Sequence, residues 1–287
     1  MNVWVEAARP PTLPAAIAPV LVGTAAASRL VLWRFAAALV VALGVQVAVN
    51  YANDYFDGVR GVDTPQRVGP RRAVASGLVA PSRMRAATAV ALGVAAVAGS
   101  ALSAAVGWEL LGVGLACFVA ALAYSGGPRP YASSGLGELF VFVFFGLVAT
   151  VGSAYVHDER VVAVAVAASV PVGLLATAIL VANNLRDIPT DGAAGKATLA
   201  VRLGDHATRL LYIALVAGAF AVSAASLPVM TSSFWPLLVV AALPLSVRPL
   251  RAVASGATGA ALVPAVAGTG ALELAFAVLL AVGLVLA

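Results

Sequence analysis

The chain has 287 residues, of which 62% are hydrophobic and only 10% charged, with a mean hydropathy of +1.02 and a formal net charge of +5. A soluble domain carries about 25% charged residues, and no hydrophilic stretch here is long enough to build one, which argues against a nucleic-acid role for the basic balance. Cys117 is the only cysteine, so an internal disulfide is excluded, and its apolar surroundings mark it as a small core residue.

Apolar runs of about 20 residues match a bilayer core of about 30 Å. Nine such runs are expected, near 13–28, 34–56, 85–106, 109–125, 137–156, 161–186, 208–228, 233–250 and 266–286. All must be helical, because a bilayer leaves no water for unpaired backbone groups, and the abundant Ala and Gly allow close packing. The first run starts only after Arg9-Pro10-Pro11, and no small-residue cleavage site follows a short apolar core. It reads as a retained span rather than a signal peptide. The expected fold is an all-α polytopic membrane protein, a single domain over residues 1–287 with nine transmembrane helices.

The basic residues orient the bundle. With the N-terminus in the cytoplasm, that side holds Arg9, Arg60, Arg67, Arg71, Arg72, Arg83, Arg85, Arg129, Arg186, Lys196, Arg202, Arg209, Arg248 and Arg251, against Arg29, Arg34 and Arg160 on the other. This asymmetry favours a cytoplasmic N-terminus and an outside C-terminus in a bacterial plasma membrane. The one lysine among many arginines, with so much Ala, Val and Gly, fits a GC-rich bacterial genome.

Two stretches break the apolar pattern. In the second run, Gln46, Asn50, Asn53 and Asp57 recur at i, i+4, i+7 and i+11 and make one polar stripe on an apolar rod. Asp54 lies at its edge, and Asp63 follows in a basic loop. In the sixth run, Asn183 and Asp187 stand four apart as Asn53 and Asp57 do, 130 residues later, and a Gly-containing loop with Asp191, Lys196 and Arg202 follows. Capping at a water interface would need fewer acids. Pro189 is expected to end this helix close to Asp187 and to leave Asp191 on a loop.

Both acidic ends fall on the cytoplasmic face. Carboxylates with amides form a hard oxygen-donor set that suits Mg²⁺ together with substrate phosphate oxygens, with Mn²⁺ as a possible substitute. Softer ligands are scarce, since the only histidines are His157 and His206. Arg67, Arg71, Arg72, Arg129, Lys196 and Arg202 add cations around the same mouth, as a polyphosphate site requires. No GxxxxGK[ST] loop is present, so nucleotide chemistry is not indicated. A phosphate handled at the edge of an apolar bundle points to a lipid diphosphate, with its chain among the helices.

At these residues the chain resembles the UbiA-type intramembrane prenyltransferases. NDYFD at 53–57, followed by Gly61 and Asp63, and DIPTD at 187–191 are similar to that family's two aspartate motifs. Gly61 stands where the broad family pattern has its last Asp, and the spacing to Asp63 resembles the subgroup that prenylates 1,4-dihydroxy-2-naphthoate, its actinobacterial members above all. ARPPTLPAAIAPVLVGT at 8–24, YSGGPRP at 124–130, GLGE at 135–138 and residues 183–204 agree with that subgroup.

The resemblance implies a nine-helix bundle around a central cavity with its active site at the cytoplasmic face. It implies metal and catalytic roles for Asn53, Asp54, Asp57 and Asp63 at the first motif and for Asp187 and Asp191 at the second. Lys196, Arg67, Arg72 and Arg202 would hold diphosphate or close a lid. Asn50, Asn184 and Gln46 would line the cavity, and Tyr124 either faces it or anchors at the interface. Arg9 and Arg129 are candidate anchors for the acceptor carboxylate. The implied reaction joins a polyprenyl diphosphate to 1,4-dihydroxy-2-naphthoate. A family member using another acceptor, such as 4-hydroxybenzoate, and a cation-coupled transporter are the competing readings.

Overall fold

The computed structural model describes residues 2–62, 69 and 71–287. Asp63 and Arg67, both expected at the site, lie outside the described residues. Every regular element among those described is helical. A one-turn helix α1 (Val3–Ala7) is capped by Asn2, whose side chain accepts from Trp4 N at 2.9 Å. Arg9 then adopts a left-handed backbone (φ 54) and turns the chain into the short helical turn Pro10–Thr12. There follow α2 (Pro14–Ala25), α3 (Leu32–Val59), α4 (Pro81–Val106), α5 (Glu109–Ser125), α6 (Gly137–Asp158), α7 (Ala163–Ala193), α8 (Leu199–Thr231), α9 (Trp235–Ala254) and α10 (Gly259–Val285).

Seven of these, α3, α4 and α6 to α10, are long and apolar enough to cross a membrane. The runs expected near 13–28 and 109–125 are carried by shorter apolar helices. At 1.5 Å per residue α2 and α5 advance only about 18 and 26 Å, short of the bilayer core. For α2 the cause is local: Pro10 and Pro11 sit in a tight turn, and the helix begins only at Pro14. The expected nine spans therefore become seven full-length helices, among the described residues, and two shorter ones.

α7 is the spine. In its apolar window 67% of residues are buried, against 17% for α3 and for α4, so α7 sits inside while α3 and α4 turn most of their surface outward. Val90, Val94 and Val97 on α4 and Leu115 and Val119 on α5 are exposed, as lipid-facing side chains should be. Around α7, Leu175 and Ile179 pack in one cluster with Ala18 and Val22 of α2, Tyr212 of α8, and Leu272 and Phe276 of α10. Small residues let α6 cross it closely: a Cβ added at Gly146 would stand 2.6 Å from Gly173 Cα. The Tyr212 hydroxyl shares a 2.7 Å hydrogen bond with Thr269 Oγ1, which satisfies both buried polar groups between α8 and α10.

α7 also runs straight through Pro189, and the expectation that this proline ends the helix is overturned. Proline removes a single backbone donor, and the turn is held by its neighbours. Thr190 Oγ1 donates to Asp187 O at 3.0 Å, and Ala194 N to Thr190 O at 3.0 Å. Asp191 thus sits on the helix, not on a loop.

At the end remote from the acids, the α2–α3 connection is tied to the end of α6. Asp158 accepts from Ser28 N and Oγ, Arg29 and Arg34 reach Glu159, and Arg29 Nε donates to His157 O at 2.7 Å.

Candidate active site

A cavity of about 310 Å³ lies between α2 to α7. Most of its wall is apolar, with Val41, Leu102, Val113, Phe144 and Val156 among the lining residues. Asn53, Asp57, Arg72, Asp187, Asp191 and Lys196 make one end of it polar.

The backbone explains why these groups meet. α3 closes with Asp57-Gly58-Val59-Arg60-Gly61-Val62, and α7 with Asp191-Gly192-Ala193-Ala194-Gly195-Lys196. In each, a glycine takes a left-handed backbone, φ 66 at Gly61 and φ 74 at Gly195. The next residue's N–H reaches back to the Asp carbonyl, Val62 N to Asp57 O at 3.0 Å and Lys196 N to Asp191 O at 2.9 Å. The glycine N–H goes to Gly58 O at 3.3 Å or to Gly192 O at 3.1 Å. Both are Schellman caps, which need a residue tolerant of positive φ.

These caps fix the register between the two motifs. Asp57 corresponds to Asp191, Asn53 to Asp187 and Asn50 to Asn184, an offset of 134 residues. The pairing expected from the Asn-x-x-x-Asp spacing, Asn53 and Asp57 with Asn183 and Asp187, is one helical turn out. On α7 a polar pair four apart occurs twice, as Asn183/Asp187 and Asp187/Asp191, and the Asp-Gly-x-x-Gly that closes both helices selects the second frame.

The second cap delivers Lys196 onto the acids. Its Nζ lies 2.9 Å from Asp57 Oδ2 and 3.9 Å from Asp191 Oδ1, and so bridges the two helix ends. Arg72 is buried beside them, 3.2 Å from Asn53 Oδ1 and 3.9 Å from Asp57 Oδ2. Asp187 is gripped by its chain neighbour: Arg186 Nε and Nη2 donate to its two oxygens at 2.7 and 2.6 Å, and Nη2 also reaches Asn183 Oδ1 at 2.8 Å.

The segment after α5 is tied to both ends. Arg60 donates to Ser125 O at 2.7 Å and Gly127 O at 2.5 Å, while Ala197 N donates to Ser133 O at 3.0 Å. Tyr131 donates to Ala120 O at 2.9 Å, and its burial pushes the phenol above its ordinary range, so it stays a neutral donor. Its ring meets Tyr124 edge-on at 5.4 Å, and both tyrosines line the cavity.

Comparison with known proteins places the chain in a family. The family model described as the UbiA prenyltransferase family matches residues 16–257. The chain belongs to the UbiA prenyltransferase family. It is 45% identical over 97% of its length, and 95% of the relative's, to a Mycobacterium tuberculosis protein named 1,4-dihydroxy-2-naphthoate octaprenyltransferase. A Mycobacterium leprae protein of the same name is 44% identical over 99% of this chain and 96% of that one. Among solved structures, a UbiA homolog from Archaeoglobus fulgidus bound to GPP and Mg²⁺ superposes with a TM-score of 0.69, at 15% identity over 97% of this chain and 99% of that one, which supports the fold.

Of the residues expected at this UbiA-family site, Asn50, Asn53, Asp57, Arg72, Tyr124, Asn184, Asp187, Asp191 and Lys196 line the cavity, as do Gln46 and Arg9. Three do not. Asp54, expected as a metal ligand, is 1% exposed and turned away, with Oδ2 accepting from Ala73 N at 2.9 Å and Oδ1 from Val74 N at 2.8 Å. It is one residue from Asn53, a step of about 100° around the helix, and it pins the segment that carries Arg72. Arg202 is exposed, its Nε donating to Ala197 O at 2.9 Å. Arg129 is exposed and outside the lining.

Three residues of the site escape a reading of the sequence. Arg186 looks like one more cytoplasmic charge. Glu138 accepts from Asn184 Nδ2 at 2.9 Å, and only its place in GLGE hinted at it. Thr12 accepts from Gln46 Nε2 at 3.0 Å and from Asn50 Nδ2 at 3.2 Å, and only its place in the stretch 8–24 hinted at it.

The donor chemistry suits a hard divalent cation, since the acids and amides lining the polar end offer oxygen. Among the described residues no three carboxylate, histidine or cysteine groups form a ready-made cage. A metal here would be completed by water and by substrate oxygens, as is usual for Mg²⁺.

Proposed function

We propose that this chain transfers a polyprenyl group from an all-trans polyprenyl diphosphate to 1,4-dihydroxy-2-naphthoate, releasing CO₂ and diphosphate and giving demethylmenaquinol in menaquinone biosynthesis. The observation that carries the reading is the apolar cavity whose one polar end gathers Asp57, Asp187, Asp191, Lys196 and Arg72. The names of the two mycobacterial relatives supply the acceptor.

Asn53, Asp57, Asp187 and Asp191 would hold Mg²⁺, and the bound cation would neutralise the diphosphate and lower the barrier to its departure. Lys196 and Arg72 are placed to take diphosphate oxygens, and Arg72 is already buried where each contact is worth more than in water. The allylic C–O bond breaks with its electron pair leaving on diphosphate. The ring carbon bearing the carboxylate then bonds to the allylic carbon, and loss of CO₂ returns an electron pair to the ring, so no external oxidant or proton source is needed. The apolar walls exclude the water that would quench the cation. Arg9, which lines the cavity, is the candidate partner for the acceptor carboxylate. The polar end faces the cytoplasm on the charge asymmetry, with the N-terminus inside and the C-terminus outside.

The test uses purified protein in lipid nanodiscs with geranylgeranyl diphosphate, Mg²⁺ and either 1,4-dihydroxy-2-naphthoate or 4-hydroxybenzoate. Prenylated, decarboxylated naphthoquinol, absent in EDTA and restored by Mg²⁺ or Mn²⁺, is the expected product. Prenylation of 4-hydroxybenzoate at a similar kcat/KM would overturn the acceptor, and full turnover in EDTA would overturn the metal.

A further inference from the structure

Below the diphosphate end, three side-chain amides line the cavity, and each has its nitrogen committed elsewhere. Asn50 Nδ2 donates to Ala8 O at 2.8 Å. Asn184, its counterpart in the repeat, donates from Nδ2 to Glu138 Oε1 at 2.9 Å. Gln46 donates from Nε2 to Thr12 Oγ1 at 3.0 Å and approaches Thr12 O at 3.5 Å. A backbone carbonyl or a carboxylate cannot donate, so these partners fix which way the Asn50 and Asn184 amides point, and Thr12 O favours the same sense for Gln46.

What remains for a ligand is the carbonyl oxygen of each amide, together with the second Nδ2–H of Asn184. Gln46 Oε1 is buried with no hydrogen-bond partner among the described residues. No donor among them is recorded for Asn50 Oδ1 or Asn184 Oδ1. A buried acceptor left unsatisfied is costly, so Gln46 Oε1, with the amide oxygens of Asn50 and Asn184 lining the same cavity, calls for a molecule that brings donors. A diphosphate or carboxylate brings only acceptors and is disfavoured there.

We infer that the carbonyl oxygens of Gln46, Asn50 and Asn184 are the specificity-determining contacts for the hydroxyl hydrogens of the aromatic acceptor. This rests on the proposed reaction and says which atoms read its second substrate. The depth is suitable: Asn50 lies two helical turns below Asp57, roughly 10 Å. The ring would then sit beneath the departing diphosphate with the allylic carbon between them. Gln46 and Asn50 are about 6 Å apart along α3, an interval that suits hydroxyls on opposite ends of one ring. Repeat symmetry places Asn184 on the facing helix.

The test is equilibrium binding, which needs no turnover. Dissociation constants are measured by calorimetry on the full chain in nanodiscs for 1,4-dihydroxy-2-naphthoate, 1-hydroxy-2-naphthoate, 4-hydroxy-2-naphthoate and 2-naphthoate. In the wild type each missing hydroxyl is expected to weaken binding about tenfold. Gln46→Met and Asn50→Leu should each flatten one of those steps to within about twofold. A purely structural role would shift all four ligands in parallel, and that result overturns the inference. Should a variant not purify folded, the wild-type series decides, because equal affinities across it overturn the inference as well. Stepwise binding without turnover would sink the proposed reaction and spare this inference. Turnover with a flat series would do the reverse.

Discussion

The ends of α3 and α7 share a backbone motif, Asp-Gly-x-x-Gly closed by a Schellman cap, yet their side chains are held differently. On α7 the cap is followed by Lys196, which folds back over Asp57 and Asp191. On α3 the residue at that position is Val62, and a second cation near Asp57, beyond Lys196, is Arg72, positioned by Asp54 through the backbone of Ala73 and Val74. At the position of Asn53, α7 carries Asp187, which requires Arg186 as a bidentate neighbour. The repeat thus supplies two helix ends of the same shape, and the departures from symmetry supply charge. One end delivers a lysine from its own cap, and the other borrows an arginine from a pinned segment.

If that division is right, acids that face the cavity and acids that face the protein must fail differently. The largest effect is expected for Asp57→Ala and Asp187→Ala, each lowering kcat by at least about 10²–10³-fold, the scale set by losing a preorganised charge at a departing group. Asp57→Ala should insert and purify unchanged, while Asp187→Ala also leaves buried Arg186 unpaired and should lower the thermal midpoint; activity within tenfold of wild type at saturating Mg²⁺ would remove either acid from the site.

A middle effect is expected for Asp54→Ala. It strands two buried N–H groups at about 1–3 kcal/mol each, so the thermal midpoint should drop by several degrees while kcat falls less than for Asp57→Ala. Asp54→Asn, which retains one accepting oxygen, should recover part of that stability. A stable Asp54→Ala protein with no activity would restore Asp54 as a ligand.

The smallest effect is expected for Arg202→Ala, exposed and outside the cavity lining, with kcat/KM within about twofold of wild type as for most surface changes. A large rise in KM for the prenyl diphosphate would show that Arg202 closes over the site.

Much of this was legible in the residues. Composition alone gives a helical membrane bundle, and the i, i+4, i+7, i+11 stripe on α3 points Gln46, Asn50, Asn53 and Asp57 into one space, as found. Legibility fails where one residue's neighbours decide its direction. Asp54 is adjacent to Asn53 in the motif, but one helical step turns it toward Ala73 and Val74. Pro189 reads as a helix stop, but the Thr190 hydroxyl and the following cap carry α7 onward. The register between the two motifs was missed because the Asn-x-x-x-Asp match at 183–187 was followed, although Asp-Gly-x-x-Gly at 57–61 and at 191–195 already pointed to the other frame. Arg186 was missed because, in a chain whose basic residues are read for orientation, one more arginine carries no distinguishing signal.

The central claim is that the two helix ends act as one diphosphate site joined through Lys196. A double-mutant cycle on Asp57→Ala and Lys196→Ala tests it most directly, read as the affinity for a non-hydrolysable farnesyl thiolodiphosphate in Mg²⁺. Groups acting as a unit are non-additive. The account predicts that each single variant loses most of the affinity and that the double variant is scarcely worse than either. Losses that simply add would mean that α3 and α7 hold their ligands independently, and the single-site account would be contradicted.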